Sequence, residues 1–147
     1  KTTANKLVYS FERAGFLTHT VLGKVWRIRA NKQHHFFVTY KIPFNLKIVY
    51  ESGVLSWIAA NIAEARAIIL FGSYRKGDDT EKSDVDIAVE VLNNDEPKIV
   101  PLRITNLGYR KEISVNIHIF SRKNVDINIF ANIANGIVLQ GFLEVRP

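Results

Sequence analysis

Apolar and polar residues follow two different periods along this chain. The run ending at Phe71 and the run beginning at Val85 are β-branched and apolar, which predicts two buried strands. Residues 113–120 alternate between apolar and polar as far as Ile119, so they predict a further strand of the same sheet. Over residues 45–66 the apolar positions recur at helical spacing, which predicts one long or two shorter helices with a bend at Gly53. An α+β fold follows from this mixture.

The front of the chain predicts a helix followed by a hairpin. Leu7, Val8 and Phe11 lie at helical spacing between a Thr-rich start and Gly15. Residues 17–29 then alternate on both sides of a glycine, as two strands joined by a turn do.

Three other segments give weaker signals. Residues 31–37, which contain two adjacent histidines, predict a connecting loop. Residues 99–107 could form a helix or a strand, because Pro101 and the β-branched residues weaken a helix. The closing run 136–141 is expected to pack against the sheet.

The positive charge is concentrated at the front. Residues 1–50 hold nine Lys and Arg side chains against Glu12 alone, whereas the other 97 residues hold eleven basic and thirteen acidic side chains. Because a basic block on an ordered scaffold attracts polyanions, this distribution favours nucleic acid as a partner.

Composition excludes several classes of protein. No apolar run reaches the length of a membrane span and no signal peptide is visible, so we expect no membrane partner. The absence of Cys excludes disulfides and thiolate metal sites and fits a cytoplasmic protein. Met is absent even at position 1, so either the chain begins inside a longer protein or methionine positions are not represented.

Residues 68–90 carry the candidate chemistry. Gly72 and Ser73 follow a predicted buried strand, at a turn where backbone N–H groups could approach phosphate. Asp84 and Asp86 open the next strand at i and i+2, so both side chains lie on the same face. Two carboxylates so close repel each other unless a cation lies between them, and their hard oxygens suit Mg²⁺. Together these features indicate nucleoside triphosphate chemistry.

These residues resemble a family signature. Gly72-Ser73, Gly77 and Ser83-Asp84-Val85-Asp86 are similar to the G-S-x-x-x-G and S-D-x-D motifs of the polymerase-β-type minimal nucleotidyltransferases. The resemblance implies a nucleotidyltransferase fold, with helices packed on a short mixed β-sheet. It also implies transfer of a nucleoside monophosphate from an NTP, with ATP as the expected substrate, to an unidentified hydroxyl.

The resemblance further implies roles for individual residues. Asp84 and Asp86 would bind Mg²⁺ (or Mn²⁺) and act as the catalytic residues, and Gly72 and Ser73 would hold the β- and γ-phosphates. Lys76 stands where the family tends to have Arg, so it would neutralise phosphate charge. The alternative for Lys76 is a solvated turn.

The predicted strand 113–120 departs from the family. The family normally supplies a third carboxylate here for a second metal ion, and this chain has Asn116 instead. Asn116 remains the candidate third metal position, as a neutral oxygen ligand that makes deprotonation of the nucleophile harder. Glu112 could substitute if the strand begins differently. Nucleotide binding is therefore better supported than turnover.

The basic front resembles the last helix and wing of a winged helix-turn-helix domain. That resemblance predicts a partial DNA-binding segment over residues 1–42, followed by a nucleotidyltransferase domain over 43–147. The missing earlier helices agree with a chain that begins inside a longer protein. The alternative is an ordinary helix and hairpin with a solvated charged face. The implied DNA-binding residues are Thr3, Asn5 and Lys6 on the helix and Lys24, Arg27 and Arg29 on the wing.

Two further functions stay open. A catalytically impaired nucleotidyltransferase fold could act as a DNA-binding regulator or an antitoxin-like partner, which the basic front and Asn116 favour. The chain could also be a subunit whose acceptor-binding half lies on a partner protein or on a second copy.

Overall fold

The protein divides into two compact units. A computed structural model describes residues 2–93, 96–107 and 110–145. The first unit is Lys1–Pro43 and the second is Phe44–Pro147. Each unit is described by itself.

The first unit begins with the predicted helix and hairpin. Helix α1 (Thr3–Arg13) is followed by strands β1 (Leu17–Leu22) and β2 (Val25–Ala30), which pair antiparallel. Gly23 takes the φ of +62° that the tight turn between them requires. The sequence prediction of a helix followed by a hairpin is therefore confirmed.

One face of the hairpin packs against α1. The Tyr9 ring meets the rings of Trp26 and His19 edge to face, at centroid distances of 5.3 and 5.7 Å. Glu12 lies 2.9 Å from Nδ1 of the same His19. Because side chains alternate along a strand, Arg27 and Arg29 are on the other face of β2 from Trp26.

The helical region after the hairpin begins and ends earlier than the range 45–66 predicted from the sequence. Helix α2 (His35–Glu51) begins inside the predicted loop 31–37, so that loop prediction is wrong for its last residues. Two separate helices do form, because Gly53 at φ +77° ends the turn before α3 (Val54–Asn61). Helix α3 ends before residue 66, since the chain there has already entered a strand.

A five-stranded mixed sheet forms the second unit's centre, in the order β5-β6-β4-β3-β7. Strands β4 and β6 are parallel, and the other neighbours are antiparallel. This arrangement confirms the predicted mixed sheet. Its strands are β3 (Ala65–Phe71), β4 (Val85–Val91), β5 (Lys98–Leu107), β6 (Arg110–Phe120) and β7 (Ile137–Gly141).

Two of the three weakly predicted segments belong to the sheet. Residues 99–107 lie in β5, an edge strand, where Pro101 can be tolerated because its missing N–H need not pair. The run 136–141 was expected to pack against the sheet. It instead forms most of the opposite edge, as β7 paired with β3.

Side chains from the sheet fill cores on both faces. One core joins α2 and α3 to residues such as Leu70, Ile87 and Ile117. The other lies under α5 (Ile127–Ala134) and includes Ala88 and Phe120. The sequence analysis missed α5, whose first N–H groups are capped by the Asp126 side chain.

Within the described residues, none of the helices combines the length and the apolar character that crossing a bilayer requires.

Candidate functional site

Gly72 and Asp86 lie in contact at the end of two paired strands. Asp86 is the register partner of Phe71, the last residue of β3, so the next residue turns beside it. Gly72 has φ +70°, and a Cβ atom there would lie 2.4 Å from Asp86 Oδ2. A side chain at this position would be strained by the φ and would require the Asp86 carboxylate to move. The serine-bearing turn and the acidic strand therefore share one small space.

A single short turn of helix carries the glycine-serine motif. Helix α4 (Gly72–Lys76) ends at Gly77, which has φ +75° and donates its N–H to the Ser73 carbonyl at 2.9 Å. Tyr74 is buried and anchors the turn, whereas the Lys76 side chain is exposed. No side chain caps the first N–H groups of α4 among the described residues.

Asn116 lies between the two carboxylates. Strand β6 runs parallel to β4 with Asp86 opposite Asn116, which places the amide on the same face as the acids. Asn116 Nδ2 lies 3.4 Å from Asp84 Oδ2 and 3.3 Å from Asp86 Oδ1. The amide N–H groups thus offset part of the repulsion between two like charges.

His118 is a further polar neighbour of this pair, and the sequence analysis assigned it no role. It lies two residues beyond Asn116 on the same face of β6, and its Nε2 is 3.5 Å from Asp86 Oδ1. The Phe71 ring packs edge-on against the imidazole, at 5.0 Å between centroids. The alternation along 113–120 is the signal that could have identified it.

A tight turn holds Asp84 at the start of β4. The Thr80 N–H donates to Ser83 Oγ at 2.9 Å, and the Ser83 N–H donates back to the Thr80 carbonyl at 3.1 Å. Arg110 at the start of β6 donates to the carbonyls of Ser83, at 2.9 Å, and Thr80. Ser83 therefore shapes the loop that positions the acid.

A buried hydrogen-bond link joins the same loop to α4. Asn45 is 1% exposed and donates from Nδ2 to the Tyr74 carbonyl at 3.0 Å and to Asp79 Oδ1 at 2.6 Å. Local sequence patterns give no signal for Asn45, Asp79 or Arg110, because their partners are 27 to 34 residues away.

The arrangement fits a divalent cation held with the help of a substrate. No group of three or more His, Cys, Asp or Glu within the described ranges is arranged to hold a metal ion. Mg²⁺, however, is commonly bound by one or two carboxylates together with substrate phosphates. Asp84 and Asp86 both lie within 3.4 Å of the Asn116 amide nitrogen, beside the start of α4, whose first N–H groups have no side-chain cap among the described residues. This arrangement matches that mode of binding.

The predicted DNA-binding residues all belong to the first unit. Lys24 is at the tip of the hairpin, and Arg27 and Arg29 are exposed along β2. Opposite these two arginines stand Thr20 and Thr18, their register partners on β1. Thr3 and Lys6 are exposed at the start of α1, with Asn5 half-buried between them.

Comparison with known proteins gives one family. The sequence model described as "Polymerase beta, Nucleotidyltransferase" matches residues 55–142, a range that holds the whole glycine-serine turn and both acids. No curated protein matches this chain.

Proposed function

Because the chain belongs to the polymerase beta nucleotidyltransferase family, we propose that it transfers a nucleoside monophosphate from an NTP to an acceptor hydroxyl. ATP is the proposed substrate. The observation that carries the proposal is the contact of Gly72 with Asp86, beside Asp84 and Asn116. A polyphosphate on the turn and a cation on the carboxylates would occupy one space.

The proposed reaction is a displacement at the α-phosphorus. The acceptor oxygen forms a bond to that phosphorus, and the bond to the oxygen bridging the α- and β-phosphates breaks. Pyrophosphate leaves with the electron pair of that bond, and the hydroxyl proton passes to solvent. The protein contributes mainly positioning and charge stabilisation.

Each residue of the site has a defined part in this proposal. Asp84 and Asp86 hold Mg²⁺ or Mn²⁺, which when bound neutralises phosphate charge and orients the triphosphate. Gly72 and Ser73 direct the N–H groups at the start of α4 to the β- and γ-phosphates. Lys76, exposed at the end of the same turn, adds positive charge.

Asn116 sets the expected level of activity. Its amide donates toward both acids in the place where the family has a third carboxylate, so the site lacks one negative charge. We therefore expect triphosphate binding with slow transfer, because the acceptor hydroxyl is less readily deprotonated.

Incorporation of labelled nucleotide tests this proposal. The intact chain is incubated with α-labelled and, separately, γ-labelled ATP, with Mg²⁺ or Mn²⁺, and self-modification and pyrophosphate release are measured. Label from the α-position only, lost in Asp84→Ala and kept in Glu81→Ala, supports the proposal. Glu81 is a suitable control because it is an exposed acid in the same loop. No incorporation of α-label by the wild type, or incorporation that is equal in wild type and Asp84→Ala, would overturn it.

A second candidate function rests on the first unit. Arg27 and Arg29 share an exposed face of the hairpin turned away from Tyr9, and Lys24 extends from its tip. This basic face favours a DNA-binding segment of winged-helix type over residues 1–42, with Thr3, Asn5 and Lys6 contributing from α1. The second unit would then serve as an impaired nucleotidyltransferase fold in a regulator or antitoxin-like protein.

Two measurements separate these candidates. Retention of a DNA duplex that falls steeply with salt supports the DNA-binding segment. Salt-dependent DNA retention without any nucleotide transfer supports the regulator. Mass measurement of the intact chain in solution, alone and with candidate partners, tests a homodimer or a partner protein. The lack of Cys fits a cytoplasmic location for either function.

A further inference from the structure

The imidazole of His118 faces the acid that lies deepest in the proposed site. Its Nε2 is 3.5 Å from Asp86 Oδ1, while Asn116 reaches the same carboxylate oxygen at 3.3 Å. Register places the three residues together, since Asn116 is opposite Asp86 and His118 is opposite Ala88, the next residue on that face. The Phe71 ring limits where the imidazole can go.

His118 Nε2 is buried, and within the described residues it makes no hydrogen bond. At 3.5 Å its contact with the carboxylate is longer than an ordinary N–H···O bond. A buried polar atom that makes no hydrogen bond is energetically unfavourable. A ligand that both atoms bind would remove that cost.

The 3.5 Å between His118 Nε2 and Asp86 Oδ1 is close to the distance between two ligand atoms of one cation. Ligand nitrogen and oxygen each lie about 2.0–2.2 Å from a first-row transition ion, which puts neighbouring ligand atoms about 3–3.5 Å apart. Oδ1 of Asp86 and Nε2 of His118 already have this spacing. The remaining positions would be taken by phosphate oxygens and water.

We propose that His118 is a nitrogen ligand of the metal site, and that it makes the site select a divalent transition ion, such as Mn²⁺ or Co²⁺, over Mg²⁺. The proposal rests on the proposed function, because it assumes a cation at Asp86. Imidazole binds transition ions well, whereas Mg²⁺ strongly prefers oxygen. His118 thus supplies a nitrogen ligand, whereas Asn116 supplies no negative charge. The metal site is therefore expected to bind a transition ion in preference to Mg²⁺.

Binding of Mn²⁺, measured without nucleotide turnover, tests this assignment. Pulsed electron paramagnetic resonance of Mn²⁺ bound to the intact chain is expected to show coupling to a ¹⁴N nucleus, and His118→Gln is expected to lose it. Titration is expected to show Mn²⁺ affinity falling on the order of tenfold or more in His118→Gln, with Mg²⁺ affinity nearly unchanged. Retention of the ¹⁴N coupling in His118→Gln, or equal losses for the two ions, would overturn the proposal.

Two control variants complete the experiment. Ser114→Ala changes the same face of β6 and is expected to keep both the coupling and the affinity. His35→Gln removes an exposed histidine of the first unit and is expected to do the same. Thermal unfolding of each variant shows whether it is folded, and His118→Gln is used only if it is. If His118→Gln does not fold, His118→Asn, which has a shorter side chain, takes its place.

The outcomes distinguish this proposal from the proposed function. Mn²⁺ binding that depends on Asp86 but shows no ¹⁴N coupling overturns the role of His118 and leaves nucleotide transfer standing. Mn²⁺ binding that is unaffected by Asp86→Asn overturns both.

Discussion

Gly72 and Asp86 are so close that the glycine has no room for a side chain, since a Cβ atom would lie 2.4 Å from Asp86 Oδ2. Glycine at this position therefore serves two purposes. It allows the φ of +70° with which α4 begins, and it lets the backbone approach the carboxylate.

Gly72→Ala is expected to lower both stability and nucleotide binding. A left-handed φ costs an alanine about 1–2 kcal/mol, and the contact with Asp86 adds to this and displaces the carboxylate. Gly53→Ala is the matched control, because Gly53 has φ +77° with nothing within 4 Å of its Cβ position. Urea unfolding and triphosphate binding of the two variants give the comparison. Equal effects on binding would show that the contact with Asp86 is irrelevant.

Asn116→Asp is expected to raise transfer activity and to lower stability without metal. The third carboxylate supplies the missing charge, while three like charges repel when no cation is bound. We expect transfer to rise by roughly 10²- to 10⁴-fold, the range of general-base effects, and added Mg²⁺ or Mn²⁺ to recover the lost stability. Asn93→Asp adds the same charge at an exposed position and serves as control. A rate unchanged from wild type would show that the absent charge does not limit the reaction.

Asn45→Ala is expected to loosen the loop that leads to Asp84. The variant removes a buried donor from the Tyr74 carbonyl and from Asp79, so we expect a loss of about 1–3 kcal/mol in urea unfolding. Asn61→Ala removes an exposed amide that bonds only within its helix, and it should cost much less. A double-mutant cycle with Asp79→Ala measures the coupling of the pair. If the losses of unfolding free energy in the two single variants simply add in the double variant, Asn45 and Asp79 are not coupled.

Arg122→Ala is expected to be strongly destabilising. Glu90 is 1% exposed and accepts from Arg122 Nε at 2.8 Å, so the variant leaves a buried carboxylate without its cation. Removing one partner of such a pair costs about 3–5 kcal/mol. Arg103→Ala breaks the exposed pair with Glu112 and should cost about 1 kcal/mol or less. Unfolding in urea compares the two variants, and equal losses would contradict the buried pair's importance.

Arg27→Gln combined with Arg29→Gln is expected to weaken DNA retention and flatten its salt dependence. Each phosphate contact contributes a slope of about −0.9 to the dependence of log affinity on log salt, so two contacts account for about −1.8. Arg103→Gln, an exposed arginine of the second unit, should leave the slope unchanged. The slope is read from retention of one duplex over a salt series. An unaltered slope in the double variant would exclude the hairpin as the DNA contact.

Much of the fold could be predicted because its signals are local. The alternation of residues 113–120 and the apolar runs on either side of Gly72 predict strands by period alone. The start of α2 inside a predicted loop shows the limit of such signals, since Pro43 and two histidines conceal the helix. The edge strand β7 is also hidden, because its short apolar run does not indicate which strand it pairs with.

The sequence by itself determined the glycine-serine turn and which side chains share a face with Asp84 and Asp86, because the period of a strand is a property of the chain alone. Only the tertiary structure decided that Asn116 stands beside Asp86, that His118 comes within reach of it, and that Asn45 ties the loop to α4. Those relationships depend on strand order and register. Both are set by pairing between distant segments, which no local pattern records.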